Sequence, residues 1–373
     1  MDRLVQCGRH TIGWDQVELV AGYIIMETAF SKNYGFSQTH CWWAAIVSTE
    51  RIRQPRNWLF MLYLASNFSS TDTRDAIYGL LGLIELSGGG LEPDYSKSPM
   101  EVYQDSVREA LIQFQRTDVL LYATGNETPS WAPRWNRPML FRNPFRFGKS
   151  LPWKPAGDSK PIWHIDSNSN VLSLHGFVIG SIQLVEQYNE SYFSNAMIDS
   201  NKGKNDLTQS WGQILSTLNK GNTKTPFTDT MLAAIATSLA FGLDEASNPC
   251  DGRLLMRNFV AYLKLVLDED TYNKFIPLEV SEESAQANGH VFGKPVWDFK
   301  YPDSSIFTTD GGLVGCCVST TMPGDVVSVA FGSTYPFVLR PDGEKYLLKG
   351  YAFVHGTMHG EQCRPEGRVM KIH

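Results

Sequence analysis

Hydrophobic residues change their spacing along this chain of 373 residues, and that change constrains the fold more than any other feature. In the first third they recur every three or four positions, which is the period of an amphipathic helix. In the last third they alternate in short runs, which turn sequences such as Pro323-Gly324-Asp325 and Pro341-Asp342-Gly343 separate. Short strands with even spacing favour a small antiparallel barrel over a parallel sheet, so the sequence predicts an α+β protein.

The spacing predicts four helices in the first third of the chain. They cover Asp15 to Phe30, Pro55 to Ala65, Thr73 to Glu85, and Ser98 to about Gln115. The last has the clearest start, because Ser98 can cap the helix, Pro99 suits its first position and Glu101 completes a capping box.

Strand patterns begin after an irregular stretch that is rich in Pro, Arg and aromatic residues. Strands are predicted at Ile162 to Asp166, Val171 to Leu174 and Phe177 to Val185, followed by inserted helices at Leu207 to Leu218, Asp229 to Phe241 and Arg253 to Leu267. Five more strands are predicted at Ser305 to Thr309, Leu313 to Val318, Asp325 to Phe331, Phe337 to Arg340 and Tyr346 to His355. We therefore expect a helical region at 1–127, a connection at 128–160 and a barrel-like region at 161–373 with a helical insertion at about 205–268. The helical part is expected to pack on the small antiparallel β-barrel.

Charge and cysteine content exclude several classes of protein. A formal net charge of −6 argues against a nucleic-acid partner, and the basic, aromatic stretch from Arg134 to Lys149 is short and Pro-rich enough to be a surface loop. No apolar run approaches the roughly 20 residues of a membrane span, and no secretory signal follows Met1. The six cysteines form neither a C-x-x-C pair nor a zinc spacing. We expect a cytoplasmic protein with free thiols.

A search for catalytic motifs finds little. Gly148-Lys149-Ser150 lacks the first glycine and the preceding strand of a phosphate-binding loop, and no nucleophile elbow occurs. His355 and His359 have the spacing of two zinc ligands on a helix, but flanking glycines disfavour a helix there. Three interpretations stay open for them: a metal site, a strand-end loop that places His355 near a cavity, and local hydrogen bonding. No cofactor is expected.

Six segments occur in an order that resembles one family. They are Asp75 to Leu83, Pro93 to Tyr103, Pro129 to Trp135, Pro323 to Val327, Pro336 to Arg340 and Tyr351 to Gly356. Together they resemble the region that follows the signalling domain in fungal heterokaryon-incompatibility (HET) proteins, and the resemblance covers most of the chain. The signatures of the HET domain itself are absent, so we expect a stand-alone segment to which that domain's activity does not transfer. The resemblance implies a fold, since this segment has no established catalytic residues in the family.

Stand-alone proteins of this kind resemble some proteins of fungal biosynthetic clusters that are suspected to be pericyclases. That resemblance implies a cofactor-independent cyclase or lyase of secondary metabolism. Its substrate would be a small apolar, terpenoid or polyketide-like intermediate, and its reaction a Diels–Alder or hetero-Diels–Alder cycloaddition. The alternative is an incompatibility or regulatory protein that binds a protein partner without catalysis.

A cycloaddition needs a shaped apolar cavity and one or two hydrogen-bond donors rather than a nucleophile or metal. The chain is rich in aromatic residues, with ten Trp, although a plain hydrophobic core would use them too. We expect a site where the irregular connection meets the barrel. The candidate catalytic donors are His355, Tyr351, Arg134 and Tyr95, and the candidate substrate-binding residues are Trp131, Trp135, Trp163 and His164. A coupled dehydration would use His355 or Glu361 as acid or base.

Overall fold

The computed structural model of the chain describes residues 4–27, 58–66, 68–82, 84, 86, 90–123, 127–137, 139, 152–193, 195–198, 200–220, 226–244, 248–298 and 304–373. The chain forms two compact units. The first contains 1–106 and 134–149, and the second contains 107–133 and 150–373. The predicted boundaries at 127 and 160 stay predictions.

The first unit starts with a β-hairpin that the sequence did not predict. Strands β1 (Leu4–Cys7) and β2 (His10–Gly13) pair antiparallel, and Gly8 between them adopts a left-handed φ of 61°. Runs this short carry almost no periodic signal. The helices that begin in this unit are α1 (Trp14–Glu27), α2 (Trp58–Ala65), α3 (Asp75–Tyr78) and α4 (Pro99–Phe114), and the residues of α4 after Ser106 belong to the second unit. Helices α1 and α2 confirm two predicted helices over the residues that the structure describes. The rest of these two predictions falls within 28–57, which lie outside the described residues.

The predicted capping box at the start of α4 is confirmed. The backbone N–H of Ser98 donates to Glu101 Oε2 over 2.7 Å, and the backbone N–H of Glu101 donates to Ser98 Oγ over 3.3 Å. Two N–H groups that the first helical turn cannot satisfy therefore find side-chain acceptors.

Helix α3 is much shorter than the predicted helix from Thr73 to Glu85. It ends at Tyr78, and the next described residues form turns. Gly79 and Gly82 follow directly, and glycine is a poor helix former because it loses the most backbone freedom. The apolar residues continue at helical spacing beyond Tyr78, so the sequence pattern did not show where the helix ends.

The second unit contains an eight-stranded sheet, which confirms the α+β class. Its strands are β3 (Trp163–Asp166), β4 (Val171–Tyr188), β5 (Ser304–Thr309), β6 (Val314–Cys317), β7 (Val326–Ala330), β8 (Phe337–Asp342), β9 (Lys345–Val354) and β10 (Arg368–Ile372). The five predicted strands near the end correspond to β5 to β9, whereas β10 was not predicted. The order is β10-β4-β5-β6-β9-β8-β7, with β3 beside β4.

Strand β4 closes the sheet into an irregular ring. Its residues 176–181 pair with β7 and its residues 182–188 pair with β5, with register shifts after Val178 and Ile182. Such bulges bend a strand so that one strand can face two different neighbours. The ring is therefore not a regular barrel, because β4 pairs with different strands along its length.

The predicted break in β4 at Gly176 is wrong, because the strand continues through it. A Cβ at Gly176 would lie only 2.1 Å from the carbonyl oxygen of Val329. The glycine therefore marks the close approach of another strand rather than the end of its own.

Helices fill the chain between β4 and β5, over a longer stretch than the predicted 205–268. They are α5 (Asn195–Ile198), α6 (Asn201–Leu218), α7 (Asp229–Leu239), α8 (Gly252–Val266), α9 (Glu269–Phe275), α10 (Leu278–Glu283) and α11 (Gly289–Asp298). Trp211 of α6 donates its indole N–H to the hydroxyl of Tyr262 on α8 over 2.8 Å. No helix in the described ranges is long and apolar enough to cross a bilayer.

Apolar side chains from all six ring strands fill the inside of the ring. This cluster contains Ile182, Phe307, Cys317, Val327, Val338, Ala352 and Val354. Successive residues of a strand point to opposite faces, so Tyr351 and Phe353 of β9 point away from it. Both of their rings contact Phe241, which follows α7. The ring interior is thus a packed core, and a ligand site must be sought outside it.

Candidate functional site

A pocket of about 420 Å³ lies where the end of β9 meets the helical segment of the second unit. Four stretches of chain line it: Pro152 and Trp153, the residues around Gly242, the start of α8, and 353–361. We call it the His355 pocket. Its volume is within the range of about 300–1,000 Å³ that is typical of small-molecule sites.

Two aromatic rings form the apolar wall of the His355 pocket. Trp153 lies edge-on to Phe353, with ring centroids 5.5 Å apart, and edge-on to His359 at 5.4 Å. Gly242 allows this arrangement, since it has a left-handed φ of 69° and a Cβ there would lie 2.9 Å from Phe353 and 3.0 Å from Trp153. A side chain at position 242 would press on both rings.

Backbone hydrogen bonds fix the loop that carries the two histidines. The backbone N–H of His355 donates to the carbonyl of Val314 over 3.0 Å, and the backbone N–H of Lys154 donates to the carbonyl of Met358 over 2.8 Å. The backbone N–H of His359 donates to Glu361 Oε2 over 2.7 Å. Two of these bonds join the loop to segments that are distant in the sequence and one lies within it, and together they hold His355 at the pocket.

His355 is the pocket's main titratable group. It is half-buried, and burial lowers its pKa from the ordinary 6.5, while the nearby negative charge of Glu361 opposes that shift. The imidazole is therefore mostly neutral at pH 7, so it can donate one hydrogen bond and accept another.

Cys250 is a weak nucleophile despite its place in the pocket wall. Burial raises the pKa of its thiol above the ordinary 9.0, and the charges of Asp244 and Asp251 raise it further. Thiolate, not thiol, is the reactive form. The geometry therefore gives no support to nucleophilic catalysis by this cysteine.

Two polar atoms of lining residues have no hydrogen-bond partner. They are the indole nitrogen of Trp153 and the hydroxyl oxygen of Thr237, and both side chains are more than nine-tenths buried. Buried polar groups are nearly always paired in folded proteins. Neither atom is exposed, so both are unsatisfied groups inside the pocket wall rather than groups on its surface.

A second pocket of about 420 Å³ lies between α6 and α9, and two of its polar side chains, Thr208 and Asp268, already have structural partners. The hydroxyl of Thr208 donates to the carbonyl of Val266 over 2.6 Å. Asp268 accepts from the backbone N–H of Thr271 over 2.7 Å as the cap of α9. This pocket offers less for a ligand than the His355 pocket.

Among the donors and substrate-binding residues predicted in the second unit, His355 lines the pocket, and so does Glu361, the predicted acid or base, whereas Tyr351, Trp131, Trp163 and His164 do not. Tyr351 is fully buried against Tyr335, with ring centroids 5.0 Å apart, and Trp131 is fully buried with its indole N–H donating to the carbonyl of Asn170. Trp163 and His164 lie side by side on β3, partly exposed and exposed respectively. Their predicted roles in binding and catalysis stay predictions.

The other three predicted residues belong to the first unit. The exposed Tyr95 donates its hydroxyl to Asp75 Oδ1 over 2.6 Å, and the Arg74 guanidinium lies over its ring. The fully buried Trp135 donates its indole N–H to Ser106 Oγ over 3.0 Å. Arg134 is half-buried, with its guanidinium against the sulfur of Met100. None of the three lines the His355 pocket.

Sequence reasoning missed most of the pocket wall. Trp153, Thr237, Gly242, Cys250 and Phe353 come from distant stretches, and no spacing rule connects them. Glu361 was named only as an acid or base. Within the described part of the chain, no group of three or more His, Cys, Asp and Glu side chains could hold a metal ion.

Comparison with known proteins finds similarity to heterokaryon-incompatibility proteins. Residues 262–369 match the model of the Het-6 β-barrel domain, a range that contains β5 to β9. Heterokaryon incompatibility protein 6, OR allele, of Neurospora crassa is 27% identical in an alignment of 343 residues that covers 78% of this chain. Over these ranges the chain is similar to heterokaryon-incompatibility proteins.

The match also has limits that bear on function. The chain spans about half the length of the Neurospora crassa relative, 49% of it. No solved structure matches. The matched barrel range includes Phe353, His355 and Glu361, whereas Trp153 and strand β4, which completes the ring, lie outside it. The pocket is therefore built partly from the family's barrel and partly from this chain's remaining sequence.

Proposed function

We propose that this chain binds a small, mostly apolar molecule in the His355 pocket. The pocket itself carries the proposal: it combines the aromatic wall of Trp153 and Phe353 with a half-buried imidazole and has the volume of a small-molecule site. Sites of this kind bury most of an apolar ligand and orient it with a few polar groups.

The reaction that we propose is cyclisation of a terpenoid or polyketide-like intermediate, including a Diels–Alder or hetero-Diels–Alder cycloaddition. Such a reaction suits a pocket whose cysteine is a poor nucleophile, because ring closure needs preorganisation rather than covalent catalysis. His355 would polarise a carbonyl or move a proton, and Glu361 would assist it. No cofactor enters this scheme.

The second candidate is an incompatibility or regulatory protein that binds a protein partner and has no catalytic activity. The similarity to a protein named for heterokaryon incompatibility favours it, and more directly than it favours cyclisation. We propose a cytoplasmic location under either candidate, and no nucleic-acid partner, given the net charge of −6.

Incubation of the purified chain with the metabolite extract of the cells that encode it tests the proposal. Chiral mass spectrometry would follow the products, and a His355→Ala variant would be compared with His164→Ala, which removes an exposed histidine outside the pocket. We expect a cyclised or stereochemically enriched product that His355→Ala loses and His164→Ala keeps.

The same samples separate the two candidates. If native mass spectrometry detects a bound metabolite without turnover, binding holds and cyclisation falls. If no metabolite binds while a pull-down recovers a protein whose binding tolerates His355→Ala, the second candidate replaces the first.

A further inference from the structure

The second pocket, between α6 and α9, is a polar groove, which we call the α6–α9 groove. Residues 205, 208, 209, 212 and 216 of α6 line one side, and residues 268, 271, 274 and 275 line the other. The spacing of three to four residues places the α6 positions on one face of the helix. The apolar side chains of α6, such as Trp211 and Leu215, are buried on its other side. Helix α6 therefore has one face in the core and a separate polar face along the groove.

Three polar side chains of this face can still bind a ligand. The side chains of Asn205, Gln209 and Ser216 make no hydrogen bond within the part of the chain that the structure describes. Each amide offers a donor and an acceptor, as a peptide bond does. The groove suits a small apolar molecule less than the His355 pocket does, but it suits a ligand with alternating donors and acceptors.

Gly212 keeps the middle of the groove open. A Cβ at this position would meet the methyl carbon of Thr271 at 3.6 Å, which is an ordinary contact distance. Packing between the two helices therefore does not require glycine here, and glycine in a helix interior lowers stability relative to alanine. A glycine in the lining lets the backbone of another chain approach closely.

The two amides have the spacing of an extended peptide. Asn205 and Gln209 are one helical turn apart, with a rise of about 6 Å between them. Alternate residues of an extended chain are about 6.6 Å apart, and their backbone N–H and C=O groups point to the same side. Each amide can therefore pair with one residue of the same strand. From Asn205 to Ser216 the helix rises about 16 Å, which is the length of about five extended residues.

A positive charge lies toward one end of the groove. Thr208 bonds the carbonyl of Val266, and position 212 lies beside Thr271, so α6 and α9 run in the same direction. Lys274 therefore lies toward the Ser216 end. Its side chain is exposed, with the ammonium 4.9 Å from the centre of the Phe275 ring. An acidic residue of a ligand would be attracted to this end, modestly because the site is exposed.

We propose that the α6–α9 groove binds an extended, acidic peptide segment of a partner protein. The peptide backbone pairs with the amides of Asn205 and Gln209, and a carboxylate lies toward Lys274. This inference goes beyond ligand binding in the His355 pocket, and it gives the second candidate function a surface for its protein partner. Recognition through main-chain hydrogen bonds tolerates many side chains, so the partner segment is defined by its extended backbone and its charge.

Fluorescence polarisation with the full chain tests the proposal, using a fluorescein-labelled, C-terminally amidated peptide of sequence SVTVSE. Its β-branched residues favour an extended backbone. Two versions replace the glutamate by glutamine or by lysine, and two others are N-methylated on the odd or on the even residues. We expect saturable binding of SVTVSE, about two- to fivefold weaker binding of the glutamine version and weaker binding still of the lysine version. One of the two N-methylated versions should not bind, because it lacks the N–H groups that face the amides.

Four variants assign the binding to residues. Gly212→Leu fills the groove with a good helix former, so it should abolish binding without lowering the melting temperature. Gln209→Leu removes one amide and should weaken binding about three- to tenfold. Asn273→Leu is the matched control, because it removes an exposed amide of α9 outside the lining and should leave binding unchanged. In Lys274→Met, SVTVSE and its glutamine version should bind equally.

Each outcome supports or overturns a stated part of the inference. Binding that tolerates both Gly212→Leu and Gln209→Leu lies elsewhere and refutes the groove. Equal binding of both N-methylated versions refutes backbone recognition, and a lysine version as tight as SVTVSE refutes the acidic preference. If SVTVSE does not bind, the whole inference fails, since backbone recognition should accept this sequence. The small-molecule proposal for the His355 pocket is unaffected by that failure, because its test uses metabolites rather than peptides.

Discussion

The ion pair between Asp325 and Arg340 links β7 to β8 and gives the sharpest test of what stabilises the ring. Arg340 donates from Nε and from one terminal nitrogen to the two oxygens of Asp325, over 2.8 and 2.9 Å. The Asp325 side chain is 1% exposed, and that of Arg340 is 26% exposed. The backbone N–H of Met322 also donates to Asp325, over 2.9 Å. This carboxylate is therefore buried and satisfied by three donors.

Replacing Arg340 by Met should cost about 3 kcal/mol of unfolding free energy. Breaking a buried pair typically costs roughly 3–5 kcal/mol, because the remaining charge stays buried without its partner. We expect the lower end, since Arg340 is a quarter exposed and Met322 still donates to the carboxylate. With a urea slope of about 2 kcal/mol/M, the unfolding midpoint should fall by about 1.5 M.

Urea unfolding followed by tryptophan fluorescence and far-UV circular dichroism measures this change. Arg368→Met is the matched control, because Arg368 is exposed on the neighbouring part of the sheet and should shift the midpoint little. A double variant combines Arg340→Met with Asp325→Asn. Its loss of unfolding free energy should be at least about 1 kcal/mol smaller than the sum of the losses in the two single variants. Equal midpoints for the Arg340 and Arg368 variants, or strict additivity, would refute the reasoning.

Four further substitutions test other parts of the fold and the pH dependence of its stability. Gly176→Ala should prevent stable folding, because the new Cβ would lie 2.1 Å from the Val329 carbonyl, whereas Gly212→Ala on α6 should raise stability by about 0.5–1 kcal/mol. Ser98→Ala should cost about 1 kcal/mol through loss of the capping box. Burial favours the neutral form of His355 in the folded state, so the unfolded state takes up more protons below pH 6.5. The free energy of unfolding should therefore decrease as the pH is lowered. His355→Asn should therefore lose less stability than the unaltered chain between pH 7 and 5.

Each expectation has a measurement that would contradict it. Melting curves by circular dichroism would contradict the expectations for the two glycines in either of two cases. The Gly176 variant would have the melting temperature of the unaltered chain, or the Gly212 variant would melt well below it. Ser98→Ala should lower the stability, whereas Ser98→Thr should retain it because threonine is also a good capping residue. Parallel stability–pH curves for the chain and His355→Asn would remove His355 as the acid-sensitive group.

Local sequence patterns predicted the elements well where one interaction dominates. The capping box at Ser98 and Glu101 is a contact between residues three apart, and a turn at Gly343 separates β8 from β9, although Pro341 and Asp342 before it still belong to β8. The same logic failed at Gly176, because its reason lies in another strand that is far away in the sequence. Glycine spacing alone cannot distinguish a chain break from close approach.

The site was harder to predict than the fold, for a physical reason. On β9, alternation places Tyr351 and Phe353 on the same face, yet Tyr351 packs into buried aromatic rings while Phe353 reaches the pocket. Which of two aromatic residues lines a cavity depends on the helices that cover them, not on their own sequence. His355 was predictable because a glycine-rich loop at a strand end exposes its side chain.

The pairing of β4 with β3, β5, β7 and β10 has a consequence for biosynthesis. Translation delivers β4 early, at 171–188, but its partner β10, at 368–372, only some 180 residues later. The helical segment from α5 to α11 emerges in between, so it has time to fold on the ribosome while β4 still has unpaired edges. A nascent chain of this protein therefore exposes aggregation-prone strand edges for most of the synthesis of its second half. Chaperone dependence should be greatest there, and premature termination before β10 should leave an insoluble product.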